Sequence, residues 1–434
     1  MLNYSDIVTI IQESAAYQTK NIVTRKLELI LTEKLLEKKP IKVITGIRRS
    51  GKSFILKRLY KKLTIDIPKK NLLFINFEND RLSSNLTLSS LRNIYDTFKI
   101  KSDPNYRLYL FFDEIQNIPG WEKFIRTIYD SEDDDIYITG SNSQLLSSEF
   151  STVIGGRVLE YQLQPFTFNE FLKFHGFNKL DSYSISEKKT ELSRMFEIYM
   201  ESGGFCETFT ISSEQKEIYR QSLIDKIVLK DIINRYHIQK PHIMQNLFLY
   251  IAKNPGSIVS AAKLSRVMGI DDKTVSLFLS YLNNVFLLGR IDKYQWKTKN
   301  IFHSQKKYYL SDNLFTHLCL ESRKLENFVY THLIEKYGVS SVFFLRNEKG
   351  QEVDFVVTYK RHYYCYQVCT NLNDENEKRE FRSLLNLIKY RSDEEFKGDR
   401  YYLLYKSDTR SVKDMHKAIE AKQIMEFVLS DRIY

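Results

Sequence analysis

Proline and glycine are scarce in this chain, 7 and 15 residues out of 434. Beside a hydrophobic share of 43%, that scarcity excludes a disordered protein and predicts ordinary buried cores. Cysteine is scarcer still. Cys206, Cys319, Cys365 and Cys369 form no CxxC pair and are too few for a disulfide framework in so long a chain, so a reducing compartment is expected. No uninterrupted apolar run approaches the roughly 18 residues of a membrane span. The first residues, "MLNYSDIVTIIQESAAYQTKN", carry an early acid and no basic segment before an apolar core, unlike a secretory leader. These absences predict a cytoplasmic protein with no membrane partner. Internal repeats and low-complexity segments are absent too.

Charge of neither sign is lacking. Lys and Arg number 65 against 54 Asp and Glu, a net +11, an excess that serves solubility and permits a polyanionic partner without requiring one. The eight histidines are scattered, and Cys365 and Cys369, four apart, suit no zinc pattern. At this length two or three domains are expected. From residue 41 to about 175, short apolar runs ("IKVITG", "NLLFINFE", "RLYLFFDE", "DIYITGSN", "RVLEYQLQ") alternate with segments of helical period. Strands apolar nearly throughout and joined by helices predict an α/β fold with a parallel sheet covered on both faces. Residues from about 180 to 255 read as helices. Two amphipathic segments joined at Gly269 come next, then a hairpin from "RIDKYQW" and "KKYYL", then a helix followed by further strands.

The first apolar strand runs into Gly46-x-x-x-x-Gly51-Lys52-Ser53, and a helical segment follows. This is the P-loop pattern in its proper context, with glycines that let backbone N–H groups wrap phosphates at a helix N-terminus. Gly46, Arg49, Ser50, Gly51, Lys52, Ser53 and Phe54 are the predicted nucleotide-binding residues. Lys52 would neutralise the β/γ-phosphates, and Ser53 would place its hydroxyl on Mg²⁺. Independently, "RLYLFFDE" ends in Asp113 and Glu114, where a second Mg²⁺-holding carboxylate and a general base for the attacking water belong. Asn142, with Ser141, ends another strand and is a candidate γ-phosphate or water contact. Arg157 begins the next strand and is either a catalytic finger, in cis or in trans, or a surface ion pair. Glu78 reads equally as a nucleotide sensor or a solvated strand end.

The ordered set "ITGIRRSGKS", "INFEND", "FFDEIQNIPGWE", "ITGSN", "GGRVLEYQLQPFTFNEF", "SGGFCE" and "EVDFVV" resembles that of bacterial and archaeal AAA+-type ATPases of largely undefined role. In that family the ATPase is fused to a winged helix and a restriction-endonuclease-like C-terminal domain. The resemblance implies a P-loop AAA+-type ATPase at 1–205, a helical linker and winged helix at 206–315, and an α+β restriction-endonuclease-like domain at 316–434. It implies ATP and Mg²⁺ as ligands and a homo-oligomer, ring or dimer, and it supplies no substrate.

The hairpin gathers basic and aromatic side chains. Lys293, Trp296, Lys297, Lys299, Lys306 and Lys307 are candidate nucleic-acid contacts, cations tracking a backbone while aromatics stack on bases; packing against a neighbouring domain is the other reading. In the last domain, Glu326 and Glu352-x-Asp354 stand in the order of a nuclease core. That chemistry also requires an acid and a lysine two apart on the next strand, where this chain has Gln367 and Cys369. A vestigial nuclease site, serving as a binding or assembly platform, is expected. The expected function is Mg·ATP binding and hydrolysis coupled to DNA. The alternatives are a nucleotide-gated switch acting on a protein partner and an active Mg²⁺ nuclease.

Overall fold

Five apolar runs become strands because each is flanked by amphipathic helices that cover it. They are Ile41–Thr45 (β1), Leu72–Asn76 (β2), Tyr109–Asp113 (β3), Asp135–Gly140 (β4) and Val158–Gln162 (β5). All pair in parallel in the order β2-β3-β4-β1-β5. One face packs on the helices Leu88–Lys101 and Trp121–Ser131 through residues such as Leu91, Ile94, Phe124 and Ile128. The other packs on Lys26–Thr32 and Lys52–Leu63 through Leu31, Ile55, Leu56 and Leu59. In this parallel sheet the C-terminal ends of β1, β3 and β4 lie along one edge, which is where an open α/β sheet places its ligands.

The computed structural model describes residues 23–32, 40–79, 87–143, 154, 156–178, 180–294, 305–347, 350–390, 399–410 and 418–430. The chain divides into two compact units, Met1–Gln164 with Asn284–Phe286, and Pro165–Asn283 with Leu287–Tyr434. Among the described residues no helix is long and apolar enough to cross a membrane.

The second unit opens with helices. Two of them, Phe168–Phe174 and Ser213–Lys226, begin with capping boxes, Thr167 with Glu170 and Ser212 with Gln215. Next come the helix Pro241–Lys253, a short strand Ile258–Val259 (β6), and the helices Ala261–Met268 and Asp272–Asn284, joined by a turn at Gly269. The expected hairpin follows as Leu288–Asp292 (β7) and Lys306–Leu310 (β8), in a three-stranded sheet ordered β6-β8-β7. The helix Glu321–Tyr337 then leads into Val342–Arg346 (β9), Glu352–Tyr359 (β10), His362–Leu372 (β11), Arg400–Asp408 (β12) and Glu420–Gln423 (β13). Their order is β13-β12-β11-β10-β9, antiparallel from β9 to β11 and parallel from β11 to β13. The helices Glu321–Tyr337 and Ile424–Ser430 pack on one face; Glu377–Tyr390 packs on the other. Strand β13 and the last helix were not anticipated from the sequence.

A carboxylate pins the "SGG" turn of this unit. Asp312, only 4% exposed, accepts hydrogen bonds from the Gly204 and Leu314 amides, both at 2.8 Å. Any Cβ on Gly203 would overlap Asp312 and Leu314, and one on Gly204 would overlap the Phe166 carbonyl, so the glycine pair is required by close approach. Burial pushes the Asp312 carboxyl up to about 7, against the pull of the two amide donors. A carboxyl whose pKa is raised in the folded state favours folding below its unfolded value and loses that contribution as pH rises through the folded one. The stability of the wild type relative to Asp312→Asn should therefore fall between about pH 4 and 7, by on the order of 4 kcal/mol at most, and level off above that. Denaturant titrations of both proteins across this range check it; a pH-independent difference would contradict it.

Candidate nucleotide site

The turn between β1 and the helix Lys52–Leu63 has three residues at positive φ: Gly46 at 146°, Arg49 at 66° and Gly51 at 100°. Glycine is obligatory at 46, because a Cβ there would collide with the Leu163 carbonyl. The loop wraps the Lys52 ammonium, which is 4% exposed and donates to the carbonyls of Gly46 (3.0 Å) and Ile47 (3.1 Å). Glu114 Oε1 lies 3.7 Å from it. Ser53, in the first helical turn, donates to Asp113 Oδ1 at 3.0 Å. The predicted phosphate lysine, Mg²⁺ serine and paired acids are thus brought together. Ser50 is buried with them, Phe54 is half-buried and Arg49 is exposed.

Several of these groups are buried without a hydrogen-bond partner: Asp113 Oδ2 and the hydroxyls of Thr45, Ser50 and Ser141. An unmet buried polar atom costs about 1–3 kcal/mol, and orphans gathered at one sheet edge call for a polar ligand. Burial, then the charge of Glu114, pushes the Asp113 carboxyl up to about 6. Asp113 and Ser53 fit a divalent cation, having one free carboxylate oxygen and a hydroxyl already in contact with the other.

Glu114 sits in left-handed backbone, φ 56° and ψ 45°. In a residue with a side chain that conformation costs on the order of 1 kcal/mol or more, and it persists where the surroundings enforce it. Its amide donates to Thr139 Oγ1 at 3.1 Å, and that hydroxyl donates to Asp113. The Ser141 amide donates to Glu114 Oε2 at 3.1 Å, and so does Gln116 Nε2 at 2.5 Å. Asn142 is completely buried at the end of β4. Glu78 pairs with Arg48 at 2.9 Å.

Three contributors escaped the sequence reading: Thr139, Gln116 and Arg25. The Arg25 guanidinium, buried, donates to the carbonyls of Ser50 and Gln164 at 2.9 Å each and so braces the P-loop. Position on β4 was the only signal for Thr139, and Arg25 had none. Arg157 lies away from the site. Its carbonyl accepts from the Ile41 amide at the start of β1, a five-residue strand or ~17 Å from the P-loop edge. Its guanidinium pairs with Asp130 on the surface, so a role on this chain's own nucleotide is corrected.

The hairpin reading needs correction as well. Lys307 is 1% exposed and cannot meet a nucleic acid. Its ammonium lies 3.1 Å from Glu326 Oε1 and 2.6 Å from Glu352 Oε1. Glu326 also accepts from the Tyr309 hydroxyl at 2.7 Å and pairs with Arg323 at 3.2 Å. Burial alone would depress the Lys307 ammonium; Glu326, Asp354 and Glu352 outweigh it and hold it well above the usual lysine value. Asp354 accepts from the Val368 amide at 2.8 Å, and burial, then Glu326, pushes its carboxyl up to about 8. Gln367 is half-buried with its Oε1 unpartnered. Cys369 packs among Val353, Leu384 and Leu403, its thiol pushed up to about 12 by burial. Among the described residues no group of three or more His, Cys, Asp or Glu is disposed to hold a metal ion; an internal cation fills the acid cluster instead. Lys293 and Lys306 are half-buried; Trp296, Lys297 and Lys299 lie outside the described residues.

Deleting one partner of a buried ion pair leaves the others uncompensated. Lys307→Met should therefore cost about 3–5 kcal/mol in denaturant unfolding of the full chain. A loss below about 1 kcal/mol would show that the pair is not insulated from water.

Comparison with known proteins bears on the domain that holds these residues. Residues 38–172 match the family model "AAA domain", while 193–324 and 322–424 match domains of unknown function, DUF8612 and DUF4143. "Uncharacterized protein MJ1544" of Methanocaldococcus jannaschii is 33% identical over 382 residues, 85% of this chain and 82% of that protein. An "Uncharacterized protein" of Haemophilus influenzae is 30% identical over 329 residues, 73% of this chain and 79% of that one. Among solved structures, the Aeropyrum pernix ORC1 protein in complex with DNA aligns at 13% identity over 72% of this chain and 95% of its own, with a TM-score of 0.33, a likeness too loose to argue from. With such identity over most of both chains, this protein belongs to the family of those archaeal and bacterial relatives, and its first unit carries an AAA-type P-loop ATPase domain.

Proposed function

We propose that this chain hydrolyses Mg·ATP at Lys52, Ser53, Asp113 and Glu114, and that the cycle acts on DNA through the second unit. The observation that carries the first half is the set of unpartnered buried oxygens, Asp113 Oδ2 among them, beside a P-loop lysine that now rests on its own loop's carbonyls. Phosphate oxygens are stronger acceptors than those carbonyls, so bound ATP would draw the ammonium toward its β- and γ-phosphates. Ser53 and Asp113 would hold Mg²⁺, which supplies charge neutralisation on the phosphate oxygens. Glu114 would then accept the proton of the attacking water. At the end of β4 the orphaned hydroxyl is that of Ser141, which favours it as the γ-phosphate contact, with Asn142 supporting the strand end. Arg157, on the opposite edge of the sheet and half-exposed, would serve a neighbour's nucleotide in a homo-oligomer.

The DNA half rests on topology and residual charge. The order helix, β6, helix, turn, helix, β7, β8, with the sheet β6-β8-β7, is what a winged helix requires. Lys273 and Ser276 are exposed on its second turn-joined helix, while Thr274 is engaged by Asp271. Lys293 and Lys306 supply cations on the hairpin. The last domain, a restriction-endonuclease-like sheet, would act as a platform, since Lys307 closes its acid cluster. Loss of Lys307 and Thr274 from the candidate DNA face is the observation that favours the second reading, a nucleotide-gated switch acting on a protein.

Steady-state ATP turnover of the wild type and Glu114→Gln, each with and without single-stranded or forked DNA, separates the two. Turnover stimulated by DNA and reduced at least 100-fold in the mutant is the expected result. Turnover unaffected by DNA at moderate salt would overturn the DNA half and favour the protein partner.

A further inference from the structure

Around Glu114 the hydrogen bonds leave one buried acceptor unused. Gln116, two residues beyond it, donates from Nε2 to Glu114 Oε2 at 2.5 Å. The amide must face the carboxylate with its nitrogen, because the oxygen would be repelled. Gln116 Oε1 is consequently turned away from Glu114, and it is buried without a hydrogen-bond partner. A glutamine serving only to cap the short turn Ile115–Asn117 would have no reason to bury an unmet acceptor at a cost of about 1–3 kcal/mol.

The carboxylate shows the complementary pattern. Glu114 Oε2 is occupied by two donors, Gln116 Nε2 and the Ser141 amide. Among the described residues Oε1 faces the Lys52 ammonium, at 3.7 Å, and that ammonium is the group a phosphate would claim. With Oε2 fixed and Oε1 released, the carboxylate has one free acceptor, and Gln116 Oε1 is a second acceptor one amide group away. A water molecule has two protons to donate.

We propose that Gln116 is the water-positioning residue of this ATPase, orienting Glu114 through its amide nitrogen and accepting a hydrogen bond from the second O–H of the attacking water on its own oxygen. In the step it serves, the water oxygen bonds to the γ-phosphorus and the bond from that phosphorus to the β–γ bridging oxygen breaks. Glu114 takes one water proton, the other stays on the new phosphate oxygen, and the products are ADP and inorganic phosphate. Gln116 exchanges no proton; it aligns the nucleophile, and alignment alone is worth orders of magnitude in rate. The proposal rests on the hydrolysis reading above and names a residue that reading does not use.

The test compares the wild type, Gln116→Leu and Gln116→Glu, with Lys52→Met as the binding control. In steady state, kcat should fall tenfold to 100-fold in both Gln116 variants while KM for Mg·ATP stays within about twofold. ADP with aluminium fluoride mimics the transition state with its in-line water, whereas ADP with beryllium fluoride mimics the ground state. Gln116→Leu should weaken the first by the same factor as kcat and leave the second unchanged. Equal weakening of both analogues, or full activity in Gln116→Glu, which keeps the shape and loses the donor, would show a merely structural role and overturn the proposal. Wild-type turnover with Gln116→Leu unimpaired would overturn it alone. A wild type that neither turns over ATP nor binds it in a Lys52-dependent way would overturn the hydrolysis reading and this proposal together.

Discussion

The buried Lys52 ammonium is the charge around which the first unit is arranged. It lies at the helix N-terminus, where the helix dipole already disfavours a cation, and is held by the carbonyls of Gly46 and Ile47. Such an arrangement is stable only because the loop is forced into shape. Gly46 presses on the Leu163 carbonyl, Arg49 and Gly51 take left-handed backbone, and Arg25 ties the Ser50 carbonyl to Gln164. The parallel order β3-β4-β1 then brings Asp113 and Glu114 to the same edge, with Thr139 of the intervening strand bonded to both.

A second buried lysine makes the contrast plain. Lys307 also has its charge inside the protein, yet its partners are carboxylates, Glu326 and Glu352 in contact and Asp354 nearby. Neutral carbonyls release an ammonium to a phosphate; paired carboxylates, cut off from water, do not. One lysine is held by neutral carbonyls, and the other is locked among carboxylates.

Much of the first unit was legible because its signals are local. The five apolar runs, the glycine spacing of the P-loop and the acid pair at a strand end each lie within about ten residues. The errors are geometric. Lys306 and Lys307 are adjacent in a strand, so their side chains must leave opposite faces, and only one of them could join a surface stripe. Arg157 precedes a strand in a parallel sheet whose ligand edge is made by strand ends, which argues against a finger in cis and leaves a finger in trans or a surface ion pair open. Arg25 was illegible, since its contact to Gln164 spans 139 residues. In the last domain, the departures at Gln367 and Cys369 were visible, but the lysine that fills the acid cluster comes from another sheet altogether.

On the hydrolysis proposed above, the Lys52 ammonium exchanges loop carbonyls for the phosphates of ATP. Calorimetric titration of the full chain with ATP in the presence of Mg²⁺, set beside the same titration of Lys52→Met, tests it most directly. Saturable binding of one nucleotide per chain in the wild type, lost in the variant, is the predicted result. Equal binding by both proteins, or none by the wild type, would contradict it.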